Sequence, residues 1–303
     1  MGQVQELTRC EELRLIRRPT SRRSILTPTM LPLWPDLADG LTDVRVPLLE
    51  AVGFRVGQKG THTSRTMMLD ELTNLLATVP PASARDAYVA AIIDDNVLGK
   101  STAATRKLTA QRLSELYSFE TSVPLFRIFR LFWDRDRFGR PLLALLMTLA
   151  RDPLLRATAG SVLQMVPGEE LARQSLTDAI GAAAGDRLGE GTLDKVVRNA
   201  ASSWTQSGHL EGRSRKYRLR VSPTPVSLAF ALLLGYGLGV RGEGLLRSMW
   251  IRVLDVSADE AVELAIDAKR LSLLDMKRGG GVTEISFSRL VTKAERGLIH
   301  GAN

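Results

Sequence analysis

A run of cations in the second half of the chain is the feature best suited to chemistry with anions. Five basic residues fall within eight positions: Arg213, Arg215, Lys216, Arg218 and Arg220. Guanidinium and ammonium groups at this density bind phosphate oxygens through charge-assisted hydrogen bonds. The competing interpretation is an edge strand that lysine and arginine keep soluble. We favour a nucleic-acid contact, because an edge strand rarely needs so many cations in so short a segment.

The elements that position these cations are a predicted helix and a predicted β-hairpin. Apolar residues recur at helical spacing until Gly208 ends the pattern, at Leu193, Val196, Val197, Ala200 and Trp204. Alternation beyond Gly208 then predicts a strand with Lys216, Arg218 and Arg220 on one face. The other face would carry Tyr217, Leu219 and Val221.

A helix backed by a basic hairpin is typical of winged helix-turn-helix proteins. In such proteins the helix enters a DNA groove and the hairpin holds the flanking phosphates. Lys195 and Arg198 place two further cations on the helix, and the only anion between Lys195 and Arg220 is Glu211. The segment therefore predicts binding rather than catalysis.

A second basic element lies about a hundred residues earlier. Lys100 precedes a helix predicted from Ser101 to about Tyr117, and Arg106, Lys107 and Arg112 lie along that helix. The N–H groups at a helix N-terminus, together with a lysine, form a natural phosphate site. An ordinary charged outer face is the alternative interpretation.

Motifs for catalysis and metal binding are weak. The run Gly99-Lys100-Ser101 matches the end of a phosphate-binding loop, but Asp94 stands where that loop needs its first glycine. No histidine stands near a serine or cysteine in a recognisable nucleophile motif. Cys10 is the only cysteine and the three histidines are scattered, so we predict no metal site, no cofactor and no enzyme activity.

Composition predicts a mainly α fold, a compact helical bundle with winged helix-turn-helix-like units that carry short β-hairpins. The chain has 303 residues, a net charge of +8 and only 5% aromatic residues. Residues 1–60 read as an irregular N-terminal arm rich in proline and arginine. We predict a helical bundle over 61–185, a winged-helix-like unit over 186–240 and a second helix-plus-hairpin unit over 241–303.

The uncharged segment from Ser222 to Val240 raises the question of a membrane. Its apolar part is shorter than the roughly 20 residues that a spanning helix needs, so a buried helix is the better prediction. The N-terminus lacks the apolar stretch of a signal peptide. A lone cysteine and no predicted span favour a cytoplasmic protein.

Residues 65–221 resemble the BrxA-like family of bacteriophage exclusion (BREX) phage-defence systems. The resemblance rests on the runs Met68-Leu69-Asp70-Glu71-Leu72, Asn96-Val97-Leu98-Gly99-Lys100, Asp152-Pro153-Leu154-Leu155 and Gly208-His209-Leu210. Ser101, Thr105 and Arg106 follow the second run. The segments before residue 60 and after about residue 240 depart from the family pattern.

The resemblance implies a mainly helical, cytoplasmic accessory protein that binds DNA beside other defence proteins and has no catalytic site. It adds Asn96 and Thr105 to the cations as candidate contacts. The leading hypothesis is a non-enzymatic protein that grips double-stranded DNA by its backbone, with single-stranded DNA or RNA left open. The alternative is an interaction scaffold whose basic hairpin docks an acidic partner.

Overall fold

Helices dominate the architecture, as the composition predicted. A computed structural model of the chain describes residues 45–56 and 60–300. The helices are α1 (Arg45–Val52), α2 (Leu69–Thr78), α3 (Arg85–Ile93), α4 (Ala103–Tyr117), α5 (Pro124–Arg135), α6 (Arg140–Arg151), α7 (Pro153–Ala157), α8 (Ala159–Leu163), α9 (Arg173–Ala184), α10 (Glu190–Gln206), α11 (Pro225–Gly237), α12 (Glu243–Leu246), α13 (Met249–Arg252), α14 (Ala258–Arg270) and α15 (Lys293–His300). Two antiparallel hairpins follow α10 and α14, formed by β1 (Leu210–Glu211) with β2 (Tyr217–Arg218) and by β3 (Asp275–Gly279) with β4 (Val282–Ser286).

Aromatic side chains join the core of the N-terminal helices to the C-terminal half. The ring of Phe129 on α5 lies 5.5 Å from Trp133, 5.7 Å from Tyr117 and 5.8 Å from Phe230, measured between centroids. Such pairs add to the hydrophobic stabilisation of the buried area. Because Phe230 belongs to α11, one continuous core serves helices from both halves of the chain.

Helix α11 explains the uncharged segment of the sequence. Every residue from Val226 to Gly237 is buried, so the helix has no face that needs a charge. Its start is fixed by a capping box, in which Thr224 and Ser227 bond to each other's backbone N–H groups, and by Pro225 in the first turn. Within the described part of the chain, no helix is long and apolar enough to cross a membrane.

The helix predicted from Pro153 onward is broken into α7 and α8 at Thr158. Asp152 caps α7, because its Oδ1 accepts from the backbone N–H groups of Leu154 at 2.9 Å and Leu155 at 3.1 Å. The Thr158 hydroxyl accepts a hydrogen bond of 2.8 Å from Nε1 of Trp204. The residue at the break therefore forms a buried hydrogen bond with α10.

A third extended segment pairs with the first hairpin along the edge of β2 that β1 leaves free. In β1 and β2, Leu210 pairs with Arg218 and Glu211 with Tyr217. Residues 168–171 lie along the other edge of β2, where Leu171 N donates to Lys216 O at 2.7 Å and Arg218 N donates to Glu169 O at 2.9 Å. The run Pro167-Gly168 predicts a helix from Glu169, but because residues 168–171 are extended, the helix begins only at Arg173.

The C-terminal segment repeats the order of helices followed by a hairpin. Helices α12, α13 and α14 precede β3 and β4, in which Met276 pairs with Ile285. The sequence predicts one helix around Leu245–Leu254, but the chain forms two short ones, α12 and α13. The sequence also predicts a strand over Leu271–Met276, but the strand begins later, at Asp275.

The prediction of an irregular arm over residues 1–60 is wrong for Arg45–Val52, which form α1. Apolar side chains hold this helix in the core, since Leu49 and Val52 are buried. Residues 1–44 lie outside the described part of the chain.

Candidate nucleic-acid interface

A groove opens where the first hairpin meets α9 and α10. Its walls are the N-terminal end of α9, one face of α10 and the loop between β1 and β2, and its volume is about 920 Å³. Apolar side chains from both helices contribute to the lining, among them Leu176 and Val197. We call it the basic groove, because five cations line it, namely Arg173, Arg198, Arg213, Arg215 and Lys216.

The basic groove unites a part of the predicted site and adds one residue. Arg198 and the loop cations were predicted from sequence, and the fold brings them together across the α10–hairpin junction. Arg173 was missed, because its helix precedes α10 and showed no dense charge. Its place within a predicted helix gives no local signal of a binding role.

Carboxylates pair with three of the arginines of the groove. Asp194 on α10 forms ion pairs with Arg173 and, at 3.1 Å, with Arg198, while Glu170 lies 3.8 Å from Arg215. Arg213 is exposed and has no ion pair with any described residue. The lining itself holds five cations and one acid, Glu170, so the groove carries a positive excess that a polyanion can neutralise.

The conformation of the loop between β1 and β2 is fixed by Gly212 and by hydrogen bonds of Lys216. Gly212 has φ of +100°, and a Cβ there would lie 2.1 Å from the carbonyl oxygen of Arg215. Only glycine fits this close approach. Lys216 Nζ donates to Thr205 Oγ1 at 2.8 Å and to Gly212 O at 3.2 Å, so it ties the loop to α10. Burial lowers the pKa of the Lys216 ammonium.

Arg218 contradicts the prediction that it lies on an exposed basic face. Its side chain is only 3% exposed and forms an ion pair with Asp255. Its Nε donates to Val162 O at 3.1 Å, and Nη1 donates to His209 O at 3.4 Å. Because the buried face of β2 carries this arginine, the apolar Leu219 is the exposed neighbour. Arg218 therefore stabilises the hairpin and cannot contact a phosphate in this conformation.

Arg220 stays exposed, but it lies outside the basic groove. Its Nη2 donates to both carboxylate oxygens of Glu260, at 2.8 and 3.0 Å, and its Nε donates to Asp255 O. Lys195 is exposed on α10, one turn before Arg198. Residues three apart on a helix lie on the same face, so Lys195 extends the charge of the groove along α10.

The earlier basic element does not line the groove, and most of its residues have internal partners. Lys100 Nζ lies 3.0 Å from Glu71 Oε1, and Asn96 Oδ1 accepts from the backbone N–H of Lys100. Arg106 donates to Ile93 O, and Arg112 pairs with Glu115 at 2.8 Å. Thr102, rather than Ser101, caps α4 by accepting from the N–H of Thr105. Among the predicted contacts of this element, only Lys107 is exposed, and the others are partly buried.

One arrangement missed by the sequence has the residue types of a catalytic triad. His62 Nδ1 lies 2.9 Å from Asp152 Oδ2, and His62 Nε2 lies 2.8 Å from Ser203 Oγ. Ser203 stands on the apolar face of α10, and a polar residue at such a position was the available signal. The three residues are far apart in sequence, so no motif spacing could unite them.

The burial of this arrangement points to a structural role. All three side chains are fully buried. Ser203 Oγ also accepts from the backbone N–H of Met67 at 2.8 Å and lies 3.0 Å from Asn199 O, so its bonding capacity is used. Partners of Asp152, His62 above all, hold the pKa of that carboxyl at about 2, although burial opposes them. The network fixes α10 against α7 and the 61–67 segment, and so positions one wall of the basic groove.

The second buried histidine predicts a pH dependence of stability. Burial lowers the pKa of His209 to about 4, and its ring packs edge-on against Trp204 at 4.9 Å. Below pH about 6.5 the unfolded chain binds a proton that the folded chain excludes, so stability falls as the pH drops toward 4. We expect a loss of about 2 kcal/mol between pH 8 and pH 5.

Urea unfolding at pH 8 and pH 5 checks this expectation, with His209→Gln as the comparison. Glutamine keeps a donor for Val253 O, which His209 Nε2 contacts at 2.7 Å, but it does not titrate. The variant should lose less stability than the wild type on acidification. Equal losses in the two proteins would contradict the assignment.

Comparisons with protein-family models, curated proteins and solved structures found no match for this chain. Among residues 45–56 and 60–300, no group of three or more histidine, cysteine or acidic side chains is placed to hold a metal ion.

Proposed function

We propose that α8, α9 and α10, with the first hairpin, form a winged helix-turn-helix unit that binds DNA. The order of elements supports this assignment. A helix leads into the extended segment 168–171, two helices follow, and the hairpin β1–β2 closes the unit. The extended segment pairs with β2, the last strand, so the three extended segments lie in the order first, third, second. In this arrangement α10 is the recognition helix and the β1–β2 loop is the wing.

The basic groove is the observation that carries the proposal. Its cations come from the start of α9, from α10 and from the wing, the three places from which such a unit reaches a duplex. Arginine side chains suit phosphate oxygens because their planar donors bind two oxygens at once. The exposed face of α10 offers Lys195, Arg198 and Ser202 but no aromatic residue. We therefore infer that the unit holds the DNA backbone more than it reads bases.

The resemblance of residues 65–221 to the BrxA-like family favours a place for this protein in anti-phage defence. In that role it is a DNA-binding accessory protein that works beside other defence components. A scaffold that docks an acidic partner protein would use the same groove. The two functions differ in whether purified protein binds duplex DNA by itself.

Fluorescence anisotropy with a short labelled duplex tests the proposed function. Unrelated duplexes should compete equally, and polyglutamate of equal charge should compete poorly, since it lacks phosphates in helical register. Strong preference for one sequence would overturn backbone recognition. Failure to bind any duplex, together with binding of polyglutamate, would favour the scaffold.

Asp194→Asn should strengthen DNA binding. This carboxylate pairs with Arg173 and Arg198 and would itself repel a phosphate, so its neutralisation frees two guanidinium groups of the basic groove. A gain of about fivefold in affinity at low salt is the expected result. Asp267→Asn is a matched control, because Asp267 is equally exposed and pairs with Arg270 outside the groove. Equal gains in both variants would contradict a local role for Asp194.

A further inference from the structure

A second, smaller pocket lies away from the basic groove. It has a volume of about 400 Å³ and opens between the C-terminal ends of α4 and α6, the start of α3 and the chain just after α1. Its lining is almost wholly polar, with Arg55, Arg85, Arg151, Ser114, Ser118 and Glu120 among the residues that form it. None of these residues belongs to the basic groove.

The charges of this pocket do not cancel. Glu120 lies 3.5 Å from Arg85, which leaves that pair neutral. The carboxylate of Glu115 is engaged by Arg112 at 2.8 Å, Thr61 at 2.9 Å and Gln111 at 3.0 Å. Arg55 and Arg151 have no ion pair with any described residue. Two guanidinium groups therefore remain uncompensated at one recess.

These two guanidinium groups converge on a single carbonyl oxygen. Arg55 Nη1 lies 3.3 Å from Glu115 O, and Arg151 Nε lies 3.1 Å from the same atom. This carbonyl belongs to the last turn of α4, where carbonyl groups have no partner within the helix. Arg151 Nη1 also donates to Gly53 O, but a guanidinium has five N–H donors, and these carbonyls use only some of them. Arg151 is buried, and burial, followed by repulsion from Arg55, lowers its pKa to about 9. An anion in the recess would relieve that repulsion.

Strained backbone forms one wall of the pocket. Ser118 has φ of +75° and Phe119 has φ of +62°, which are unfavourable values for residues with a side chain. Phe119 is fully buried and stacks on Tyr88 at 5.0 Å, so packing maintains the turn. Backbone strain of this kind clusters at ligand sites, and here it places the Ser118 residue in the lining.

We propose that this pocket binds a small dianion with a terminal phosphate group. Arg55 and Arg151 supply the positive charge, the hydroxyl groups of Ser114 and Ser118 supply further donors, and Arg85 lies at the rim. Arginine pairs match phosphate oxygens in charge and geometry. The lining includes no aromatic side chain on which a base could stack, so the recognised part is the phosphate itself. The inference stands apart from DNA binding, because the two sites share no residue.

Isothermal titration with inorganic phosphate, at constant ionic strength set by chloride, tests the proposal. Wild-type protein should bind phosphate with a dissociation constant below about 10 mM. Arg55→Gln keeps a polar side chain but removes the charge, so affinity should fall at least about tenfold. Glu120→Gln removes the nearby negative charge, so affinity should rise about two- to fivefold.

The rise expected for Glu120→Gln separates a binding site from damage to the fold, since damage only weakens binding. A variant with Arg198, Arg213 and Arg215 changed to alanine should bind phosphate as the wild type does. Absence of phosphate binding, unchanged affinity in Arg55→Gln, or weaker binding in Glu120→Gln would overturn the proposal. Loss of binding in the groove variant would overturn it as well, because the phosphate would then occupy the basic groove.

Discussion

Changing Arg198, Arg213 and Arg215 together to alanine should lower the affinity for duplex DNA by roughly a thousandfold at low salt. Each of these residues lines the basic groove, and each is exposed enough to meet a phosphate. A hydrogen bond to a charged partner contributes about 1.5–3 kcal/mol, so three lost contacts at the lower bound give this factor. Anisotropy titration of wild type and variant with the same labelled duplex measures it.

A second triple variant controls for the loss of net charge. Arg137, Arg247 and Arg270 are exposed and lie outside the groove, so their change to alanine removes the same three charges elsewhere. This control should lose less than about tenfold in affinity, because distant charges are screened by salt. If the two triple variants lose affinity equally, binding depends on overall charge and not on the groove.

Arg218→Ala should cost about 3–5 kcal/mol of folding stability. The guanidinium is buried and connects Val162 O at the end of α8, His209 O in the first hairpin and the carboxylate of Asp255 before α14. Its removal leaves Asp255, whose side chain is only 12% exposed, without its ion-pair partner, and breaking a largely buried pair costs this amount. Urea unfolding followed by circular dichroism gives the change in free energy.

Arg220→Ala is the matched control for this prediction. Arg220 is two positions further along and also forms an ion pair, with Glu260, but at an exposed site. Exposed pairs contribute about 0–1 kcal/mol, so the variant should remain close to the wild type in stability. Similar losses for Arg218→Ala and Arg220→Ala would show that the burial of Arg218 is not what stabilises the hairpin.

Several helices follow from local signals in the sequence. Proline in the first turn marked α5 and α11, and apolar spacing marked α10 and α14. Such signals act within one or two turns of a helix. These local signals do not predict the extended segment 168–171, because the residues to which it forms hydrogen bonds lie far along the chain, at 216–218.

The burial of Arg218 could not be predicted from the sequence. Alternation indicates which residues can share a face of a strand, but β2 contains only Tyr217 and Arg218, and alternation does not say which face another element covers. The covering residue, Asp255, comes 37 positions later, so the arginine looked like one more exposed cation. Arg173 and the His62–Asp152–Ser203 network were missed for the same reason, because the fold alone brings their partners together.

The salt dependence of DNA binding is the most direct test of the central claim, that the basic groove holds the nucleic-acid backbone. Each phosphate neutralised adds about 0.9 to the slope of log affinity against log salt concentration. Between wild type and the Arg198, Arg213 and Arg215 alanine variant, the magnitude of the slope should fall by about 3. An unchanged slope, or wild-type binding that is insensitive to salt, would contradict the assignment of phosphate contacts to this groove.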